Sequence, residues 1–194
     1  EIYKENIDKE KETIAEYWDD APGYSGTPCG HFFSIAAQLI NERNLRLGEM
    51  LSLYATMGIA INDAMIETWR LKFKYNLLRP ITYIERHIGK GFNTTIATPP
   101  FPEFPSGHSC QSGAATEVLI HFLGNECNFK DCTHADRIDI DGSPRFYRTF
   151  RDMSEEISIS RFYGGIHFRT TLNTSLKYGR KIGQNTVKRL KLKS

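Results

Sequence analysis

"FPEFPSGHSCQSGAA", residues 101–115, decides how the rest of the chain is read. Pro99, Pro100, Pro102 and Pro105 stiffen the approach to Ser106, and a run of small and apolar residues then extends to about Leu123. A serine before such a run is a good helix N-cap, because its oxygen accepts an N–H that the first turn leaves unpaired. A helix start also offers N–H donors and a partial positive charge, which suit an oxyanion. Gly107 lets an anion approach the backbone closely, and His108 can give or take a proton near neutral pH. Taken alone, the tetrapeptide also fits a plain capped helix with a surface histidine.

Working outward, "KFKYNLLRP" (72–80) closes a helix expected from about 45 to 78. Leu51, Tyr54, Ala55, Gly58, Ile61 and Met65 recur there at helical spacing, and Pro80 stops or kinks the run. Lys72 and Arg79 are seven residues apart, nearly two turns. That puts both on one face of this helix, about 10 Å apart along its axis. On the other side, "SRFYGGIH" (160–167) holds Arg161 and His167. Gly164 and Gly165 are expected to break the helix and turn His167 back toward Arg161. Two exposed cations and a glycine turn beside a core histidine are the plain alternatives.

Further helices are expected over 3–18, 31–43, 81–88, 145–160 and about 171–190. Residues 124–144 read as a loop with room for a small hairpin, and "DIDGSP" lacks the further ligands of a calcium loop. The expectation is an all-α helical bundle in one domain over 1–194. The 194 residues, 40% of them hydrophobic, suffice for one real core. A net charge of +2 does not suggest nucleic acid, and the basic "VKRLKLKS" reads as a solvated helix end. The longest apolar run, 51–61, falls short of the roughly 20 residues a membrane span needs. Cys29, Cys110, Cys127 and Cys132 show neither CxxC nor zinc-site spacing. Cys127 and Cys132 bracket a short segment and either pair or stay as thiols.

Jointly, Lys-x6-Arg-Pro, Pro-Ser-Gly-His and Ser-Arg-x5-His, spread over residues 72 to 167, resemble the superfamily that joins vanadium-dependent haloperoxidases with type 2 phosphatidic acid phosphatases and bacterial acid phosphatases. The resemblance implies a helical bundle around a tetrahedral-oxyanion pocket. Carried over position by position, Lys72, Arg79 and Arg161 hold oxyanion oxygens, and Ser106 and the Gly107 amide add hydrogen bonds. His167 binds vanadium or attacks phosphorus, and His108 is the acid–base group opposite. Three cations and a helix N-terminus offset an oxyanion's charge, and arginine offers it a planar fork of donors.

"PPFPEFPSGH" looks like the haloperoxidase approach to this motif, with Phe104 in place of the usual tyrosine. Trp69 and Phe101 match aromatics lining the haloperoxidase pocket. The implied first reading is an enzyme that oxidises halide with hydrogen peroxide, its vanadate cofactor held by His167 and acting as a Lewis acid. The second is an acid phosphatase working through a phosphohistidine, with no cofactor. The third is a degenerate oxyanion-binding domain without activity. The expected partners are small molecules: halide and peroxide, or a phosphate ester. A periplasmic or secreted location is weakly favoured, and haloperoxidases are often larger, so helices missing from the N-terminal side are expected. One position departs from the pattern. The family's aspartate four residues after the second histidine is Thr171 here, which weakens a phosphohistidine mechanism more than vanadate ligation. Asp63, Asp152 and Glu155 are the candidates to supply the missing carboxylate.

Overall fold

A computed structural model of the chain describes residues 7–191. In chain order it holds α1 (Lys9–Tyr17), α2 (Thr27–Arg43), α3 (Leu47–Tyr75), α4 (Pro80–His87), α5 (Gly107–Leu123), β1 (Glu126–Asp131), β2 (Arg145–Thr149), α6 (Phe150–Tyr163) and α7 (Arg169–Leu190). The expected bundle is thus present, with one two-stranded sheet added. Of the helix expected over 3–18, residues 1–6 lie outside the described residues. Among the described residues no helix is long and apolar enough to cross a membrane.

The proline-led segment enters α5, the centre of the bundle. Ser106 caps it, its Oγ accepting from the Ser109 N–H at 3.3 Å. Every residue from Ser109 to Leu119 is buried, because α5 is wrapped by α3, α6 and α7. Small side chains make this possible. A Cβ on Gly113 would lie 2.6 Å from the Leu176 carbonyl oxygen, and one on Gly179 would overlap the Cys110 carbonyl. The two helices therefore meet backbone to backbone. Around them Trp18, Phe32, Leu39, Leu53, Met57 and Leu119 form the core.

Two expectations need correcting, and one alternative left open is decided. First, α3 ends at Tyr75, so Lys72 and Arg79 do not share a helix. Asn76 takes the left-handed conformation (φ 47°) and its N–H closes on the Lys72 carbonyl at 2.8 Å, a common helix stop. Arg79 precedes a proline, which disfavours helical backbone; it is extended (ψ 153°) and leads into α4 with Pro80 at the first turn. Second, residues 145–149 are strand rather than helix. They pair antiparallel with β1, Phe129 opposite Tyr147 and Asp131 opposite Arg145. Burial alternates along β1, Cys127, Phe129 and Asp131 facing inward. Within the connecting loop the "DIDGSP" aspartates are locally engaged: Asp139 pairs with Arg137, and Asp141 accepts from the Ser143 N–H. Third, Cys127 and Cys132 do not pair. Both are thiols, Cys127 buried and Cys132 exposed. An extended strand carries them roughly 16 Å apart at about 3.3 Å per residue, far beyond disulfide reach.

Candidate active site

A cavity of about 580 Å³ opens between the α1–α2 turn, the C-terminal half of α3, the 97–101 segment, the start of α5 and the α6–α7 turn. Lys72, Arg79, Gly107, His108, Arg161 and His167 all line it, and Trp69 and Phe101 form part of its apolar wall. Ser106 does not. Its Oγ, at the first turn of α5, accepts from the Ser109 hydroxyl at 3.0 Å and from the Ser109 N–H.

The cations are held by backbone carbonyls and by an aromatic face, with little countercharge. Lys72 Nζ donates to the Pro102 and Glu103 carbonyls at 2.8 and 3.1 Å. Arg79 donates from Nε to the Phe101 carbonyl and from Nη1 to the Ile166 carbonyl, both at 2.9 Å. Phe101 lies between them, 5.1 Å from each cation, so its ring face offsets part of their lost hydration. Arg161 is fully buried; it donates to the Ala15 carbonyl at 2.8 Å, to the Ser160 hydroxyl at 2.9 Å, and to Asp19 at 3.3 Å. Burial, then the charge of Arg79, lowers the Lys72 pKa to about 7. Burial lowers Arg79 to about 10 and pulls Arg161 down as well. Two buried polar atoms in this cluster, Arg79 Nη2 and His108 Nε2, have no partner among the described residues. Crowded, desolvated cations and an unspent arginine donor around one hollow are what an oxyanion would satisfy.

His167 is reached by the expected turn. α6 ends at Tyr163, and Gly165 takes φ 77°, a conformation that favours glycine. The ring is then fixed from both sides. Nδ1 lies 2.8 Å from Glu103 Oε1, and Nε2 lies 3.0 Å from Arg79 Nη1. Arginine can only donate, so Nε2 carries the lone pair and Nδ1 the proton. Burial, with Arg79, Lys72 and Arg161 nearby, keeps His167 well below the ordinary histidine range. His108 is likewise held low, first by burial and then by Arg161, with Asp20 opposing. Both histidines are therefore neutral at physiological pH.

Glu103 was not among the expected site residues, and it corrects the reading of Thr171. Its Oε1 also accepts the Phe168 N–H at 3.1 Å, and its Oε2 accepts the Thr171 hydroxyl at 2.9 Å. The carboxylate behind His167 thus comes from the proline-rich segment, and Thr171 positions it. Asp63, Asp152 and Glu155 are elsewhere: Asp63 lines a separate groove, Asp152 caps α6, and Glu155 pairs with Arg180. The one sequence signal for Glu103 was an acid placed between prolines in an otherwise apolar run. Asp19, the partner of Arg161, carried no signal beyond its place before a turn.

Residues 52–193 match the family model described as the VCPO second helical-bundle domain. Vanadium chloroperoxidase of Curvularia inaequalis is 25% identical over 150 residues, covering 64% of this chain and 25% of that protein. The crystal structure of a bacterial vanadium-dependent iodoperoxidase superposes with TM-score 0.88 at 36% identity, over 96% of this chain and 45% of that one. A bacterial vanadium-dependent chloroperoxidase shares the fold, with TM-score 0.73 at 19% identity over 97% of this chain and 46% of that one. The chain therefore spans a quarter to a half of the length of these relatives.

Proposed function

The chain belongs to the VCPO second helical-bundle domain family, and we propose that it carries the vanadate site of a haloperoxidase that oxidises halide with hydrogen peroxide. One observation carries the reading: a neutral histidine, backed by a carboxylate, turns Nε2, whose lone pair accepts from Arg79 Nη1, toward a hollow lined by three cations. The donor set fits vanadate. His167 Nε2 would ligate vanadium, as imidazole nitrogen does for many metals. Lys72, Arg79 and Arg161 would meet its oxygens, and the orphaned Nη2 of Arg79 would gain an acceptor. Bound vanadate would supply Lewis acidity toward peroxide without changing its own oxidation state.

The chain's own residues do the rest. Glu103 holds the Nδ1 proton and with it the ring orientation, a supporting role that metal-ligating histidines usually require. His108, neutral and with Nε2 unpartnered, is placed to accept a proton from a peroxide arriving in the cavity and to return it later. Trp69 and Phe101, edge to face at 4.8 Å, keep the wall apolar where a poorly hydrated halide would lie. Iodide is the first halide to test, given the 36% identity to an iodoperoxidase.

An acid phosphatase is the second reading, and Glu103 is the observation that favours it. A carboxylate-backed, correctly oriented ring also suits a histidine nucleophile. A paired assay on one preparation separates the readings, with iodide oxidation measured in the presence of vanadate and peroxide, and phosphate-ester hydrolysis measured without vanadate. Vanadate-dependent oxidation with negligible hydrolysis is expected. Hydrolysis through a trapped phosphohistidine, without oxidation, would overturn the proposal in favour of the phosphatase.

A further inference from the structure

Beside the cavity lies a second buried polar cluster. Asp20 belongs to both, since it lines the cavity and reaches into the cluster. It stands at φ 51°, in the left-handed conformation of a turn, and its carboxylate meets two imidazoles. His31 Nδ1 from α2 lies 2.9 Å from Asp20 Oδ1, and His134 Nε2 from the loop after β1 lies 3.1 Å from the same oxygen. Donor atoms of the three residues all lie within 4.8 Å of one another. Each of the three residues is 1–2% exposed.

We propose that Asp20, His31 and His134 form a binding site for one divalent transition-metal ion of the zinc class, adjoining the oxyanion cavity. The donor set of two imidazole nitrogens and one carboxylate oxygen suits zinc or cobalt, and does not suit calcium or magnesium, which take oxygen ligands. Two of the three donor–donor spacings are close to that required, and the third lies within 4.8 Å. Zinc–ligand bonds of about 2.0–2.1 Å in tetrahedral array separate donors by roughly 3.4 Å, so the 2.9 and 3.1 Å edges need open by only tenths of an ångström.

The supporting shell is already built. His31 turns its other nitrogen to Asp131 Oδ2 at 2.8 Å, the carboxylate–histidine arrangement that orients metal ligands. Asp131 is in turn held by the Tyr17 hydroxyl at 3.0 Å and by the Thr133 N–H and hydroxyl at 3.0 and 2.6 Å. His31 stacks on Trp18 at 4.6 Å, and Tyr17 closes edge-on against His134 at 4.8 Å. A divalent ion would offset two buried carboxylates, Asp20 and Asp131, in one step. Of the three ligands, Asp20 alone lines the cavity, the side from which an ion would enter. The ion would replace the protons that now bridge the two imidazoles to Asp20. It would tie the 132–134 segment to α2 and the α1–α2 turn, which lie far from it in sequence.

The test is a titration of chelator-treated protein with Zn²⁺ by calorimetry and with Co²⁺ by visible absorption, with bound metal counted directly. One equivalent per chain is expected, with a cobalt spectrum of nitrogen–oxygen ligation. His134→Gln and Asp20→Asn should each weaken Zn²⁺ binding at least about tenfold, and Asp131→Asn by about ten- to a hundredfold. His134→Gln keeps the fold-bearing Asp20–His31–Asp131 contacts, so its result stands if the other two variants fold poorly. Zn²⁺ uptake below about a tenth of an equivalent, or uptake that His134→Gln leaves unchanged, would overturn the proposal and leave a cluster held by protons alone.

Discussion

The two polar clusters that share Asp20 are opposites. On one side Lys72 and Arg79 crowd beside Arg161, only Arg161 of the three touches a carboxylate, and a buried donor on Arg79 and a ring nitrogen of His108 go unmet. On the other, the carboxylates Asp20 and Asp131 are saturated with donors from His31, His134, Tyr17, Thr133 and Gln38. Both are buried, so both have lost water, but only the first is left in deficit. The difference teaches where to look for a ligand and of which sign. An unmet cluster of cations calls for an anion, whereas a saturated cluster of carboxylates already has its countercharge as protons, which a cation can replace.

The largest effect is expected where the cationic side is cut. His167→Ala and Arg161→Ala should each lower vanadate affinity about ten- to a hundredfold in calorimetry, the usual worth of a charge-assisted contact. Arg161→Ala should also lower thermal stability, since it leaves the Ala15 carbonyl unpaired and Asp19 without its cation. Unchanged vanadate affinity in both variants would break the assignment of this side as the anion site.

Next come the residues behind His167. Glu103→Gln keeps the shape but removes the charge that holds the Nδ1 proton, and should weaken vanadate binding by about tenfold or more. Thr171→Asp restores the family's residue, yet here it would set a second carboxylate against Glu103 Oε2. Like charges this close raise the pKa of one of them and strain the site. The expected result is a lower melting temperature and weaker vanadate binding. A gain in either would show that Glu103 does not already serve in the aspartate's place.

The smallest effect, and the sharpest test of the contrast, is in pH dependence. Lys72 is pushed down to about 7 by burial, while the unfolded chain holds that proton to its ordinary value near 10.5. Between these values the unfolded state binds more protons, so this group makes stability rise with pH. His31 runs the other way. Hydrogen bonds to Asp131 and Asp20 outweigh burial and raise it to about 9 from 6.5. Its contribution is complete below pH 6.5 and is lost as pH rises through 9. In thermal melts across this range, Lys72→Met should steepen the fall in stability with pH, and His31→Gln should flatten it. Phosphate binding should also weaken as pH rises through about 7, because Lys72 loses its charge there. Equal pH slopes in wild type and both variants would mean the two clusters do not differ as described.

Most of the site was legible in the sequence because its signals are short-range. Pro-Ser-Gly-His states a helix start, and Gly164-Gly165 states the turn that delivers His167. The errors arose where a local signal was outvoted or overlooked. Asn76 and the residue before Pro80 mark a helix end that the apolar periodicity of 45–78 overrode. A small hairpin was allowed for in 124–144, where β1 lies, but β2 was missed because five residues give too little alternation to outweigh a helical neighbour. Glu103 was missed because its role exists only through His167, Phe168 and Thr171, which lie 64 to 68 residues away.

The sequence by itself determined that α5 would begin at Gly107 behind a serine cap and that a glycine turn would separate Arg161 from His167. These follow from N–H groups and turn preferences that act over a few residues, whereas the grouping of Lys72, Arg79, Arg161, His108 and His167 rested on the resemblance of three motifs to a known superfamily. Only the tertiary structure decided which carboxylate orients His167, that Ser106 faces its own helix, and that Asp20 joins His31 to His134. Those outcomes depend on which side chains share a volume from which water is excluded. There the cost of an unpaired charge selects partners by distance in space, and distance along the chain counts for nothing.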